Sequence, residues 1–123
     1  MLTWRHPDKM TPRFFGWIND AAHDSGQYPR ITSDWRDPAA NANASGSSTT
    51  SRHLYGEAVD FDIPRTGHGA IVGPLVVALI RRAEAMGVTN EIEIELVASA
   101  KDSHLHLALD PSQKVPMIFG ATD

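Results

Sequence analysis

Apolar residues recur with two different periods along this chain, and together the two periods predict an α+β fold. Helical spacing covers residues 12–25, with Thr11 and Gly26 as the expected boundaries, and residues 70–86, which Gly87 should end. Alternation of apolar and polar residues predicts strands at 58–63, 91–96 and 102–109, and a short strand is expected at 30–35, after Pro29. We therefore expect a small, mainly antiparallel sheet with helices on one face and a polar, open face.

The segments between these elements are rich in turn-forming residues. Residues 37–50 contain few apolar side chains larger than alanine, which predicts a loop at the rim of the open face. Residues 64–69 predict a second loop, in which His68 is expected at the surface. The tail, 111–123, contains two prolines and several large apolar residues, and we expect it to form a flap that packs on the core.

Length, charge and composition limit the partners and the metal ligands that this protein can have. With 123 residues the chain is expected to form a single domain, 1–123, around one core. The net charge is −4 and lysines and arginines do not cluster, so a nucleic-acid partner is not expected. There are no cysteines, so a metal could be bound only through His, Asp or Glu. The longest apolar run, Leu75 to Ile80, is too short to span a bilayer, and the N-terminal residues do not have the pattern of a secretory signal.

The stretch from Ser51 to Ile63 combines a histidine, a sharp turn and a strand. His53 precedes Asp60 by seven residues, and Gly56 lies between them, where it would let the chain fold back. Alternation places Asp60 on the polar face, beside the small Ala58. Imidazole and carboxylate are both zinc ligands, but a catalytic zinc site needs a third protein ligand.

A second histidine segment supplies candidates for that ligand. His104 and His106 alternate with leucines in the run 102–109, so both should project from the same face of one strand. Asp102 joins them on that face if the strand begins early enough. Several metal-competent side chains on one strand face are more than packing requires.

These residues resemble a known family. The pattern Ser51-x-His53-x-x-Gly56-x-Ala58-x-Asp60, followed by a histidine strand, is similar to the zinc peptidases of bacterial cell walls. That group contains D-alanyl-D-alanine carboxypeptidases, D-Ala-D-Ala dipeptidases and phage L-alanyl-D-glutamate endolysins. The His-x-His pair also resembles the second motif of the lysostaphin-type endopeptidases and the hedgehog domain. The segment 31–36, a strand that ends in an arginine, extends the resemblance to roughly residues 11–109.

The resemblance implies a role for each motif residue. It implies zinc bound by His53, Asp60 and His106, with His104 and Asp102 as catalytic groups and Ser51 supporting a ligand or the substrate. It further implies that Arg36 binds the substrate carboxylate or stabilises the oxyanion of the tetrahedral intermediate.

Two of these assignments stay open. His104 is the alternative zinc ligand. The general base is also open, because many relatives carry an acid three residues before the last ligand, whereas this chain has Ser103 there, or Lys101 if His104 is the ligand. One of the glutamates of the predicted strand 91–96, with Glu95 as the first choice, is a further candidate for the base.

The function expected from this resemblance is zinc-dependent hydrolysis of amide bonds next to D-amino acids in peptidoglycan stem peptides. The alternative is a non-catalytic module, stabilised by its metal, that binds wall peptide or a protein partner; a fourth protein ligand such as His68 would favour it. We expect a monomer without membrane insertion, which is cytoplasmic until released by lysis or is associated with a phage particle.

Overall fold

The computed structural model describes residues 1–43, 51–64, 68–98 and 103–122. It contains three α-helices, five strands and two short 3₁₀ helices within these residues, so the predicted α+β class is confirmed. In chain order these are a 3₁₀ helix Pro7–Lys9, α1 Pro12–Ser25, β1 Arg30–Ser33, α2 Pro38–Asn43, a 3₁₀ helix Arg52–Tyr55, β2 Ala58–Asp62, α3 His68–Met86, β3 Ile92–Ala98, β4 Ser103–Leu109 and β5 Met117–Thr122.

The five strands form one sheet in the order β1-β2-β4-β3-β5. The pairs β1/β2, β2/β4 and β4/β3 are antiparallel, whereas β5 runs parallel to β3. The central strand β4 therefore lies between β2 and β3. The histidines of β4 therefore have neighbours on both sides, namely the residues of β2 and β3 that point to the same face of the sheet.

The apolar positions of the central strands face the main core. Val59 and Phe61 of β2 and Leu105 and Leu107 of β4 are fully buried, in one cluster with residues of α1 and α3. The indole Nε1 of Trp17 in α1 donates a hydrogen bond of 2.8 Å to a backbone carbonyl of α3, which satisfies the one polar atom of this large buried side chain. The polar alternate positions of the strands consequently face away from this core.

The predicted boundaries of α1 are confirmed. The hydroxyl of Thr11 accepts a hydrogen bond from the backbone N–H of Phe14, and Pro12 occupies the first helical turn. Gly26 ends the helix in the left-handed conformation with φ 67°. Both ends are determined by residues close in sequence, which explains why a local pattern located them.

Three predictions about the connecting segments were wrong. Residues 38–43 form the short helix α2, although the whole segment 37–50 was expected to be a loop; residues 44–50 lie outside the described part. Helix α3 begins at His68, inside the predicted second loop. The tail forms the edge strand β5, whose residues 117–119 are more than 40% exposed, so it does not pack on the core as a flap.

In the described part of the chain, no helix is both long enough and apolar enough to cross a membrane.

Candidate metal centre

His53 lies on a short 3₁₀ helix, Arg52–Tyr55, that is capped at both ends by motif residues. The hydroxyl of Ser51 accepts a hydrogen bond of 3.3 Å from the backbone N–H of His53. Gly56 ends the helix in the left-handed conformation, with φ 69°. The predicted turn at Gly56 is thus confirmed, and the hydroxyl of Ser51 contacts the backbone of the 3₁₀ helix.

Gly56 is required for a second reason, which is the close approach of the N-terminal segment. A Cβ at this position would lie 2.0 Å from the carbonyl oxygen of Lys9, closer than atoms can approach. The carbonyl of Gly56 itself accepts a hydrogen bond of 3.1 Å from the backbone N–H of Thr11. The turn that presents His53 is therefore held against the segment that leads into α1.

Cross-strand register brings the other two side chains together. Asp60 of β2 and His106 of β4 are directly paired, so their side chains lie on the same sheet face. The carboxylate of Asp60 lies 2.7 Å from Nδ1 of His106 and 3.3 Å from Nε2 of His53. One potential ligand atom from each of the three residues lies within 4.8 Å of the others. We refer to His53, Asp60 and His106 as the His-Asp-His cluster.

The orientation of His53 is determined by the backbone of Asp34. The Nδ1–H of His53 donates a hydrogen bond of 2.6 Å to the carbonyl oxygen of Asp34, so a neutral ring has its lone pair at Nε2, facing Asp60. A lone pair and a carboxylate oxygen at 3.3 Å repel each other unless a positive charge lies between them. The cluster is therefore suited to a cation or to a proton.

Asp34 in turn is held in place by the N-terminal segment. Its side chain, 1% exposed, accepts hydrogen bonds from the backbone N–H groups of Arg5 and His6, at 2.8 and 2.9 Å. The ring of His6 contributes a third contact at 2.7 Å. Residues far from the cluster in sequence thus determine which nitrogen of His53 points into it.

Burial and neighbouring charges have opposite effects on the pKa values of Asp60 and His106. Burial disfavours ionisation of Asp60, but its contacts with His106 and His53 outweigh burial and lower the pKa of this carboxyl well below its ordinary value. Burial likewise disfavours the charged form of His106, yet its contacts with Asp60 and Glu93 prevail and raise its pKa to about 9. Without a metal, His106 is therefore an imidazolium paired with Asp60 at neutral pH.

The structure brings Arg36 to the cluster. Its Nη2 donates to Asp60 at 3.2 Å and its Nε donates to the hydroxyl of Ser33 at 2.9 Å. The backbone N–H of Arg36 also donates to the carbonyl of His53, at 3.1 Å. The guanidinium therefore lies where a substrate oxygen near the cluster could be bound.

The remaining predicted residues have different positions. His104 lies on the same face of β4 as His106, but its register partners are Asp62 and Val97, and it is not a member of the His-Asp-His cluster. Asp102 lies outside the described residues. Glu95 of β3 is the direct register partner of His106.

Sequence reasoning missed Glu57 and did not single out Glu93 among the glutamates of β3. Glu93 of β3 places Oε1 3.4 Å from Nε2 of His106; the alternation of β3 marked it as a polar-face residue, but only the strand order shows its neighbour. Glu57, which precedes β2, is 5% exposed and accepts hydrogen bonds from Arg13 at 2.7 and 3.0 Å and from Thr11 at 2.9 Å. Arg52 also donates to it, so Glu57 anchors the 3₁₀ helix of His53 to α1.

Comparisons with known proteins leave this geometry as the main guide to function. No family model matches the chain, no curated protein is significantly similar to it, and no solved structure matches it. Two imidazoles and a carboxylate are a suitable donor set for a divalent metal. The His-Asp-His cluster could therefore hold a metal ion.

Proposed function

We propose that this protein is a zinc-dependent peptidase that hydrolyses amide bonds next to D-amino acids in peptidoglycan stem peptides. The observation that carries the proposal is the His-Asp-His cluster, in which two separate segments of the chain bring three potential ligand atoms within 4.8 Å of one another. The preference for wall peptides is supported by the resemblance of the motif residues to cell-wall peptidases.

The donor set favours zinc among the common metals. Imidazole nitrogen with one carboxylate oxygen suits zinc, whereas calcium and magnesium prefer sites made of oxygen ligands. When bound by three protein ligands, zinc supplies a Lewis acid and lowers the pKa of a water molecule to about 7. The proposed ligand atoms are Nε2 of His53, a carboxylate oxygen of Asp60 and Nδ1 of His106, because these are the atoms that face one another.

Arg36 is suited to binding the negatively charged part of the substrate. A guanidinium carries five N–H donors, so a substrate oxygen can share it with Asp60 and Ser33. In the proposed reaction, Arg36 holds the substrate carboxylate or the oxyanion that develops at the scissile carbonyl. The hydrogen bond of 3.2 Å from Arg36 to Asp60 supports this role, because it keeps the guanidinium beside a proposed zinc ligand.

Proton transfer to the leaving amine is assigned to the polar face of β4. His104 projects from the same face as His106, two residues away, and is half-buried. We propose that His104 is the general acid–base group, assisted by Asp102. His104→Ala should then reduce the turnover number by about 100-fold or more, with little loss of zinc.

The test is incubation of zinc-loaded protein with purified peptidoglycan, followed by mass spectrometry of the released fragments. Release of D-alanine indicates carboxypeptidase activity, and a new amino terminus at D-glutamate indicates endopeptidase activity. His53→Ala should abolish release together with zinc binding. The matched control is His23→Ala, which removes an exposed histidine of α1 distant in sequence from the cluster residues and should preserve both.

The alternative of a non-catalytic module makes the opposite prediction. Stoichiometric zinc binding without release of any fragment, from walls of each peptide chemistry, would favour the alternative over the peptidase. Failure of the wild-type protein to bind zinc would exclude both.

A further inference from the structure

Glu93 contacts the cluster from a strand that carries none of its ligands. Its Oε1 lies 3.4 Å from Nε2 of His106, and its side chain is 24% exposed. The register partner of Glu93 is Ala108, two residues beyond His106. Diagonal neighbours on adjacent strands are about 7–8 Å apart, so a glutamate is long enough to reach the histidine ring across the small alanine.

The two ring nitrogens of His106 face different partners. Nδ1 lies 2.7 Å from Asp60, inside the cluster, and Nε2 lies toward Glu93, outside it. His53 has the complementary arrangement, with Nδ1 bonded to the carbonyl of Asp34 and Nε2 facing Asp60. Each histidine thus directs one nitrogen into the cluster and the other toward an oxygen acceptor.

We propose that Glu93 is a positioning residue that holds the Nε2–H of His106 and so presents Nδ1 as the metal ligand. This inference rests on the proposed function, because it concerns the same zinc site. A carboxylate behind a ligating histidine selects the tautomer, orients the ring and makes the ligating nitrogen more basic. Glu93 supplies to His106 what the carbonyl of Asp34 supplies to His53.

The alternative role for Glu93 is that of the general base. The geometry favours positioning, because Glu93 contacts the ring nitrogen that lies on the side of His106 away from Asp60. From this side, the carboxylate of Glu93 can influence a bound metal only through the imidazole of His106. The two roles predict different behaviour of a glutamine variant, since glutamine retains an oxygen acceptor but cannot take a proton.

The experiment compares Glu93→Ala, Glu93→Gln and Glu95→Ala for zinc affinity, by competition with a chelating dye. Glu93→Ala should bind zinc about 10–100-fold more weakly. Glu93→Gln should recover most of this loss. Glu95→Ala is the matched control, because Glu95 has the same charge, lies on the same strand and is the direct register partner of His106. It should alter affinity by less than Glu93→Ala does.

The second measurement is nitrogen-15 NMR of the His106 ring in the zinc-loaded proteins. The wild type and Glu93→Gln should show zinc at Nδ1 and a proton at Nε2, and Glu93→Ala should lose this signature. Thermal unfolding of the metal-free variants separates a local effect from loss of the fold.

Three results would overturn the proposal. The first is unchanged zinc affinity and an unchanged ring spectrum in Glu93→Ala while the wild type binds zinc and cleaves wall peptide; this result leaves the proposed function intact. The second is a Glu93→Gln variant that binds zinc normally but has lost turnover, which would identify Glu93 as a proton-transfer group. The third is a wild type that binds no zinc, which overturns the proposed function as well.

Discussion

Gly56→Ala should destabilise the protein more than the same substitution at a glycine that has a left-handed backbone but no close neighbour. The substitution has two costs. The left-handed backbone, at φ 69°, costs a residue with a Cβ about 1–2 kcal/mol. The new Cβ would also lie 2.0 Å from the carbonyl oxygen of Lys9, so the N-terminal segment must move away.

The second cost can be worked out from the contacts that such a movement breaks. Displacing the N-terminal segment disrupts the hydrogen bond from Thr11 to the carbonyl of Gly56, now 3.1 Å long and worth about 1 kcal/mol. Loss of packing along the same segment adds a similar amount. The expected total for Gly56→Ala is therefore about 3–4 kcal/mol, as expected for backbone strain combined with a steric clash.

Gly26→Ala is the matched control. Gly26 has nearly the same φ, 67°, but a Cβ there meets nothing within 4 Å. It should cost only the conformational part, about 1–2 kcal/mol. Alanine also lowers the conformational entropy of the unfolded chain; this favours the folded state equally in both variants and cancels in the comparison.

The measurement is urea-induced unfolding of the metal-free proteins, read from the midpoints at equal slopes. The difference between the two variants should exceed about 1 kcal/mol. Only Gly56→Ala should also weaken zinc binding, because Gly56 ends the 3₁₀ helix that carries His53. Equal destabilisation by the two variants would show that the contact with Lys9 is not a constraint on the fold.

Four further predictions concern charge. Asp60→Asn preserves shape but removes the ligand charge, so calorimetry should show zinc affinity reduced at least tenfold, or about 1.4 kcal/mol. The pKa of His106 is raised from 6.5 to about 9, so zinc must displace a proton from this ring at pH 7. Calorimetry in buffers of different ionisation enthalpy should therefore show the release of about one proton, and the zinc affinity should fall about tenfold per pH unit from pH 9 to pH 7. The same raised pKa makes the stability of the metal-free protein depend on pH. The pair of His106 and Asp60 stabilises the fold fully below pH 6.5, and this stabilisation, at most about 3 kcal/mol, is lost as the pH rises through 9. A free energy of unfolding that does not change over this pH range would contradict the prediction. Glu57→Gln removes the buried charge that pairs with Arg13 and Arg52, and leaves Arg13 with Glu91 as its remaining carboxylate partner. It should cost about 2 kcal/mol in urea unfolding, whereas the exposed Glu84→Gln should cost almost nothing.

Short-range features of this protein could be predicted from the order of its residues. The caps of α1, the turn at Gly56 and the alternation through Asp60 each depend on residues within one turn or one strand. Strand periodicity also placed His106 on a polar face. Backbone geometry alone imposes these relations, so they hold wherever such a segment lies in the fold.

Other features depend on which strands become neighbours. Nothing within β3 indicates that Glu93 lies beside His106, since that contact follows from the position of β4 between β2 and β3. The hydrogen bond from His53 to the carbonyl of Asp34 likewise requires the N-terminal segment to hold Asp34 in place.

The helix α2 and the strand β5 were missed because local composition gave weak or misleading signals there. The helix-start signal of Asp37 followed by Pro38 was overlooked among the turn-forming residues of 37–50. The tail contains prolines, yet its last residues pair in parallel with β3. The sequence by itself therefore determined which side chains could bind a metal and on which face of their strands they lie. The tertiary structure decided which nitrogen of each histidine faces Asp60. The other nitrogen of each ring contacts a partner distant in sequence, the carbonyl of Asp34 or the carboxylate of Glu93, and these contacts form only when the sheet and the N-terminal segment assemble.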